Sequence, residues 1–160
     1  MKLYVRLDDR LIHGQITTQW SRTLDITAIV VASDQAAADP LKKNILTMAC
    51  PSDKKVAIRS VEGAIKLLSN PKAASMKVLL IVDDVNSLLR VVKELPVDEV
   101  NIANYARKGD EDSVRIGQYC AVSQDEVAML REVCALCADS YSQMVPADER
   151  QPLQELLPAE

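Results

Sequence analysis

Runs of apolar residues alternate along the chain with segments in which apolar positions recur at helical spacing. Residues 2–7 alternate between polar and apolar side chains, which predicts a first strand, and residues 15–20 indicate the opening of a helix. Residues 26–32 are mostly apolar and rich in β-branched side chains, which is typical of a strand covered on both faces. The pattern therefore changes from strand to helix and back to strand near the start of the chain.

The same alternation continues to the end of the sequence. It predicts further strands at residues 55–59, 77–82, 99–103, 119–122 and 140–145. Helices are predicted at residues 41–49, 60–70, 85–95, 123–138 and 151–157, and cap residues support three of these starts: Asp39, Ser60 and Ser123. Residues 104–117 are polar and charged, and we expect them to form the longest loop.

Strands that alternate with helices favour a mainly parallel sheet with helices on both of its faces. We therefore predict a single domain over residues 1–160 with an α/β fold. It is expected to be a three-layer α/β/α sandwich whose central sheet has about six to seven strands. No internal repeat, low-complexity tract or linker interrupts the sequence.

Composition and charge narrow the class of protein. Apolar residues make up 48% and charged residues 26% of the chain, which is ordinary for a soluble globular protein. With no phenylalanine and 3% aromatic residues, the core is expected to consist of Val, Leu, Ile, Ala and Met. The formal charge of −4 argues against a nucleic-acid partner, because a phosphate-binding surface normally needs an excess or a patch of basic residues.

The sequence also bears on where the protein works. Lys2 is charged, and no apolar signal-peptide region follows it. No apolar run approaches the roughly 18 residues that a membrane-spanning helix needs. We therefore expect a cytoplasmic protein, with any membrane association made through a partner.

The chain has four cysteines, which do not suggest a disulfide framework at this size and in this setting. Cys134 and Cys137 form a lone C-x-x-C within a predicted helix. A zinc site would need about two further ligands, so buried thiols on a helix face are the favoured interpretation over metal or redox use. We expect no metal.

The strongest concentration of candidate chemistry lies in the turn between the first strand and the first helix. Residues 6–15 have the sequence Arg-Leu-Asp-Asp-Arg-Leu-Ile-His-Gly-Gln, and His13 is the single histidine of the chain. Anions bind at such turns in α/β proteins, because a helix N-terminus carries unpaired N–H groups and a partial positive charge. The turn is therefore a candidate site for phosphoryl or other anion chemistry.

His13 and Arg10 have the properties that phosphoryl transfer requires. A neutral imidazole nitrogen is nucleophilic, and with an ordinary pKa of about 6.5 an exposed histidine is mostly neutral in the cytoplasm. The transferring group carries charge on its equatorial oxygens in the transition state, and a nearby arginine can donate several N–H groups to them. His13 is the candidate nucleophile and Arg10 the candidate stabilising cation.

The remaining polar residues of the turn have supporting roles in this hypothesis. Gly14 leaves room for close approach and, with the first amides of the helix, can present N–H groups to an anion. Asp8 and Asp9 would repel a phosphoryl group that they faced, so they are expected to orient Arg10 or to hold the imidazole tautomer. Gln15 can cap the helix or donate a hydrogen bond.

Two alternatives remain open on the residues alone. A histidine in a loop is often only solvated, and its charged neighbours also suit a salt-bridged turn. Asp83 and Asp84, after the predicted strand 77–82, suit a receiver-like domain that phosphorylates an aspartate on Mg²⁺, although a helix N-cap before Val85 is the favoured interpretation. No G-x-x-x-x-G-K-[ST] loop is present, so a phosphoprotein is a better donor candidate than ATP.

Residues 6–15 resemble the signature of the IIB component of the mannose/fructose/sorbose family of the bacterial phosphoenolpyruvate-dependent sugar phosphotransferase system. That signature is Arg-Ile/Val-Asp-Asp-Arg-Leu-Ile-His-Gly-Gln, and this chain differs from it by one conservative change, at Leu7. The resemblance continues through Asp34 and residues 39–40, 48–51 and 143–146, so it covers essentially the whole chain.

The resemblance implies a phosphocarrier with a mostly parallel sheet and no nucleotide or metal cofactor. His13 would take a phosphoryl group on its pros nitrogen, Nδ1, from a phosphohistidine of the IIA component. It would pass that group to a sugar entering through the membrane components IIC and IID. Arg10 matches the residue thought to stabilise the transferring group. The identity of the sugar, the oligomeric state and the choice between an active carrier and a regulatory paralogue remain open.

The chain departs from the family in residues 101–106, where a glycine-containing Asn-x-Gly turn is usual. Without glycine, we expect this turn to adopt a different backbone or to place Asn104 in the left-handed conformation. Tyr105, Arg107 and Lys108 are expected beyond it, at the same sheet edge as His13. There the two cations would meet an acidic partner surface or be simply solvated.

Overall fold

The computed structural model describes residues 1–106 and 112–160, except for the side chains of residues 15 and 16. The strands of this part of the chain are β1 (Lys2–Asp8), β2 (Ala28–Ala32), β3 (Lys55–Arg59), β4 (Lys77–Val82), β5 (Glu99–Ala106), β6 (Val114–Ile116), β7 (Cys120–Val122), β8 (Ser140–Ser142) and β9 (Gln151–Pro152). The helices are α1 (Gly14–Thr23), α2 (Asp34–Ala38), α3 (Pro40–Ala49), α4 (Val61–Ser69), α5 (Val85–Glu94), α6 (Gln124–Leu136) and α7 (Leu153–Leu156).

The central strands form a parallel sheet in the order β3-β2-β4-β1-β5. Beyond β5 the sheet divides into two branches. The first half of β5 pairs with β8 and its last two residues pair with β7, both in parallel. Among the described strands, the outer pairs β6–β7 and β8–β9 are antiparallel. The mainly parallel α/β sandwich predicted from the sequence is confirmed, although the described residues form a sheet of nine strands, more than predicted.

Side chains from the two faces of the sheet enter two separate cores, because successive residues of a strand point to opposite faces. Leu3, Val5 and Leu7 of β1 share one core with α4, α5 and α6. Leu79 and Ile81 of β4 share the other core with α1 and α3. Strand β4 contributes to both cores, which explains why its sequence after Lys77 is apolar without interruption.

Side-chain caps fix the starts of several helices, at the cap residues predicted from the sequence. Asp39 accepts hydrogen bonds from two N–H groups of α3, and Ser60 accepts one from α4. Ser123 and Glu126 form a reciprocal capping box at the start of α6. These bonds satisfy donors that a helix N-terminus otherwise leaves unpaired.

The glycine-free segment at residues 101–106 is part of a strand, so the expectation of a turn there is wrong. Strand β5 runs through it, and its register with β1 shifts just before the pair Asp8–Asn104. The described non-glycine residues with positive φ are Leu11 and Asp25, so Asn104 is not left-handed. The register shift takes up the extra residue and carries β5 past the end of β1.

The other differences concern short elements and boundaries. Strand β6 lies within the segment predicted as the longest loop. Helix α2 and strand β9 were not predicted, because their five and two residues are too few to show a period. Strand β2 begins later than predicted, after the left-handed Asp25. Helix α6 and strand β8 end earlier than predicted, and β9 takes the first residues of the predicted terminal helix.

The substitution Gly117→Ala is expected to destabilise the protein by about 1 kcal/mol. Gly117 has φ +66, and an added Cβ would lie 3.4 Å from Leu156 Cδ1. Urea unfolding measures the loss. The matched control is Gly14→Ala, whose added Cβ meets nothing within 4 Å, so its stability is expected to stay level or to rise by up to about 1 kcal/mol through helix propensity. Equal losses in both variants would contradict the assignment of strain to Gly117.

Candidate functional site

The turn between β1 and α1 lies at the carboxyl end of the central parallel strands, with β4 and β5 on either side of β1. Leu11 and Ile12 are buried in the core that α1 shares with α3. Leu11 has φ 59, and its N–H donates to the Asp8 carbonyl at 3.0 Å. Core packing and a tight backbone bond therefore fix the turn immediately before His13.

His13 is the N-cap residue of α1, with extended backbone angles and no hydrogen bond from its side chain to the helix. Its carbonyl accepts the Thr17 N–H at 3.2 Å and the Thr17 hydroxyl at 2.8 Å. The first turn of α1 contains no acidic residue. The imidazole therefore belongs to the positive end of a helix dipole, with no carboxylate of that turn to repel an anion.

The two nitrogens of the His13 imidazole have different surroundings. Nε2 lies 3.5 Å from Asp8 Oδ2, within ion-pair range but longer than a good hydrogen bond, and it is buried. Nδ1 makes no hydrogen bond with any described residue, and the side chain as a whole is 29% exposed. Solvent and partners therefore reach Nδ1 rather than Nε2.

The Asp8 carboxylate has no exposed surface and is surrounded by cationic donors. Arg6 Nε donates to Oδ2 at 3.2 Å, and Arg10 donates through its backbone N–H, Nε and Nη2 at 3.0 to 3.1 Å. Burial alone would raise the pKa of this carboxyl, but the bonds from Arg10 and the charges of both arginines outweigh it and lower the pKa. Asp8 therefore stays ionised beside Nε2, a geometry that suits the predicted tautomer role.

Arg10 connects this carboxylate to solvent. Its side chain is 39% exposed, and Nη2 also lies 3.2 Å from Met144 Sδ. Nη1 makes no hydrogen bond with any described residue, so it is available to an incoming anion. Arg10 is therefore held by Asp8 on one side and open on the other.

The surroundings of His13 favour its neutral form. Burial lowers the pKa of the imidazole, and the charge of Arg10 lowers it further, whereas the charge of Asp8 acts in the opposite direction. The net result is a pKa below the ordinary value of 6.5. His13 therefore carries a nucleophilic lone pair at neutral pH.

The structure separates Asp9 from the other residues of the predicted site. Its Oδ1 accepts the Asn104 side-chain amide at 2.8 Å, and its Oδ2 accepts the Ala106 N–H at 3.2 Å. Asp9 therefore ties the turn to β5 and does not orient Arg10 or His13. Gly14 is exposed with open space at its Cβ position, which suits close approach, whereas the side chain of Gln15 lies outside the described atoms.

Three residues near the site were not assigned a role from the sequence: Arg6, Trp20 and Met144. Arg6 Nη2 and Trp20 Nε1 both donate to the Met144 carbonyl, each at 3.0 Å. The guanidinium of Arg6 lies 5.4 Å from the centre of the Trp20 ring. The alternation of the strand gave no signal for Arg6, because Arg6 occupies a polar position, as a solvent-facing side chain would.

Asp83 and Asp84 have structural partners. Asp84 is the N-cap of α5 and accepts the Ser87 N–H at 2.6 Å, which confirms the favoured interpretation. Asp83 accepts the Ser33 hydroxyl at 2.6 Å, and burial raises the pKa of its carboxyl. Both line a cavity of about 470 Å³ at the same sheet edge as Asp9. The receiver-like alternative gains no support from these bonds.

Three further sequence interpretations need correction or lie outside the described residues. Tyr105 is buried in β5 and donates to Glu126 at 2.6 Å, so it is not part of an exposed loop. Arg107 and Lys108, the proposed docking cations, fall outside the described residues. Cys137 is the C-cap of α6 rather than a residue within it, and burial raises the pKa of its thiol.

Comparisons with known proteins place this site in a family. Residues 2–160 match the family model described as PTS system sorbose subfamily IIB component. A probable phosphotransferase enzyme IIB component of Streptococcus pyogenes serotype M6 is 40% identical over 104 residues, 64% of this chain and 64% of that protein. The mannose-specific EIIAB component of Escherichia coli K12 is 34% identical over 102 residues, 63% of this chain but 32% of that protein. The matched segment therefore spans less than two thirds of either relative.

A solved structure extends the likeness to the fold. The crystal structure of manxB from Thermoanaerobacter tengcongensis has a TM-score of 0.84 at 35% identity and covers 96% of this chain and 93% of that one. Within the described residues, no helix is long and apolar enough to cross a membrane. Because the family model covers nearly the whole chain, the protein belongs to the sorbose subfamily of IIB components of the sugar phosphotransferase system.

Proposed function

We propose that this protein is the phosphocarrier subunit of a sugar phosphotransferase system. His13 accepts a phosphoryl group from a phosphorylated IIA component and donates it to the sugar translocated by the membrane components IIC and IID. The protein works in the cytoplasm and meets the membrane through those components. The observation that carries the proposal is the asymmetry of His13, whose Nε2 faces Asp8 while Nδ1 stays accessible at the N-terminus of α1.

The first transfer needs no general base. The ionised Asp8 favours a proton on Nε2 of neutral His13, which leaves the lone pair on Nδ1. This lone pair attacks the phosphorus of the donor phosphohistidine, so one N–P bond forms while the donor N–P bond breaks. The ring of His13 becomes cationic, and Asp8 faces that charge across 3.5 Å.

Positive groups stabilise the negative charge of the transferring phosphoryl group. Arg10 Nη1 has no other hydrogen-bond partner among the described residues and can donate to an equatorial oxygen. The N-terminus of α1 adds a positive partial charge at the same place. Because these groups stabilise charge in the transition state, they lower the barrier for transfer in both directions.

In the second transfer the ring of His13 is the leaving group instead of the nucleophile. A sugar hydroxyl attacks the phosphorus, an O–P bond forms, and the N–P bond breaks with its electron pair returning to Nδ1. The hydroxyl proton leaves to a base of the partner that holds the sugar. The proton on Nε2 keeps the ring cationic until the bond breaks, which makes imidazole a better leaving group.

The substitution His13→Ala is expected to abolish phosphohistidine on this protein, because the chain has no other histidine. Incubation with radiolabelled phosphoenolpyruvate, the general phosphotransfer proteins and a cognate IIA component measures the label. In the wild type the label is expected to be stable in alkali and lost in acid. Asp83→Asn and Asp84→Asn serve as controls that keep the label. Label that persists in His13→Ala, or an alkali-labile label lost in either aspartate variant, would support the receiver-like alternative.

The substitution Arg10→Ala is expected to slow transfer from phosphorylated IIA by roughly 10²- to 10³-fold, as for loss of a donor that stabilises transition-state charge. Binding to unphosphorylated IIA is expected to weaken far less. Rapid-quench kinetics and calorimetry separate the two effects. Arg10→Lys is expected to recover only part of the rate, because lysine lacks the planar fork. Equal losses in binding and transfer would make Arg10 a docking residue instead.

Transfer to His13 is expected to fall as pH decreases through the pKa of His13, because protonation removes the lone pair. That midpoint is expected below 6.5, since burial and Arg10 both lower the pKa. The single imidazole gives one NMR titration curve, which measures the pKa directly. Asp8→Asn is expected to lower it further, because it removes the negative charge that favours the imidazolium. A pKa that rises in Asp8→Asn would contradict the assigned role of Asp8.

A further inference from the structure

Arg6 is a buried cation to which the transfer mechanism assigns no role. Its side chain is 3% exposed. Nε donates to Asp8 Oδ2 at 3.2 Å and Nη2 donates to the Met144 carbonyl at 3.0 Å, so one rigid guanidinium spans both acceptors. Nη1 is buried without a hydrogen bond. Burial at this level is unusual for arginine unless a partner requires the charge.

The orientation of Arg6 is fixed from a second direction. Trp20 Nε1 donates to the same Met144 carbonyl at 3.0 Å, and the Trp20 ring lies 5.4 Å from the guanidinium carbon. Strand β1, helix α1 and the segment after β8 therefore meet at one carbonyl oxygen. A guanidinium held in this way has little freedom to leave Asp8.

Asp8 has a second arginine, and the two differ in what they can do. Arg10 is 39% exposed and bonds Asp8 through Nε and Nη2, so it can turn toward solvent or a phosphoryl group. If Arg10 were the sole compensating charge, sharing it with a phosphoryl group would leave a fully buried carboxylate undercompensated, which is strongly unfavourable. Arg6 removes this conflict, because it remains on Asp8 Oδ2.

We propose that Arg6 is a positioning residue that keeps Asp8 compensated and directed at His13 Nε2 while Arg10 shares its charge with the phosphoryl group. This inference rests on the proposed phosphocarrier function. Arg6 does not touch the moving group and acts only through Asp8. Its loss therefore slows transfer without weakening the docking of the donor.

A double-mutant cycle tests whether Arg6 acts through Asp8. Arg6→Met and Asp8→Asn are each expected to lower kcat for transfer from phosphorylated IIA by about 10- to 100-fold, with KM for IIA unchanged. The double variant is expected to lose no more than about threefold beyond the slower single variant, because the charge that Arg6 serves is gone. Losses that multiply in the double variant would overturn the proposal and make Arg6 an independent packing residue.

Two conservative variants keep the test valid if Arg6→Met does not fold. Arg6→Lys retains the charge but cannot bridge Asp8 and the Met144 carbonyl with one planar group, so a partial loss of kcat is expected. In that case Arg6→Lys takes the place of Arg6→Met in the cycle. Trp20→Phe retains an aromatic ring but lacks the indole N–H donor, and a smaller loss of kcat is expected. Arg22→Met, at an exposed arginine in the last turn of α1, is the matched control and is expected to transfer at the wild-type rate.

The outcomes separate this inference from the function on which it rests. Wild-type protein that acquires no label on His13 overturns the phosphocarrier function. Wild-type protein that is labelled, together with folded Arg6→Met or Arg6→Lys that transfers at the wild-type rate, overturns only the role of Arg6. A loss that appears equally in Arg22→Met also overturns it, because the effect would then not be specific to the Asp8 contact.

Discussion

The buried carboxylate of Asp8 is the group on which the rest of the site depends. Burial disfavours its charge, and two arginines and a histidine converge on it from the strand and the following turn. Because the charge is compensated, Asp8 orients three side chains at once: Arg6, Arg10 and His13. The site is therefore organised around a buried anion, and in the proposed mechanism the phosphoryl group approaches from the opposite side of the ring.

The parallel sheet makes this arrangement possible. A central strand such as β1 is hydrogen-bonded on both edges, so its last residue is held firmly just where a turn toward α1 can carry functional side chains. The register shift near Asp8 then lets β5 extend beyond β1, where Asn104 and the Ala106 N–H bind Asp9. Asp9 therefore connects the turn to β5, whereas Asp8 is part of the site.

Much of the fold and of the site could be predicted from the sequence, and the features that could not be predicted have physical reasons. The strand-to-helix turn, the caps and the presence of His13 and Arg10 in one turn depend on local patterns. The division between Asp8 and Asp9 depends on the bulged pairing with β5, which no local pattern encodes. Arg6 alternates with apolar residues as a solvent-facing side chain would, yet the chain 138 residues later covers it. Such burial is decided by tertiary packing, so periodicity alone gives the face of the strand on which Arg6 lies but not its burial.

The placement of charge around His13 also explains how one ring can both accept and release a phosphoryl group. Arg10 lowers the pKa of the imidazole, so in the proposed mechanism the cation that binds the phosphoryl oxygens also keeps the nucleophile unprotonated. Asp8 acts in the opposite direction, but it faces Nε2, where it controls the position of the proton rather than the reactivity of Nδ1. After transfer, the cationic ring lies between Asp8 and the phosphoryl group, and each charge has a neighbour of opposite sign. In the proposed mechanism these neighbouring charges stabilise the phosphorylated state and the transition state alike, so the group remains transferable.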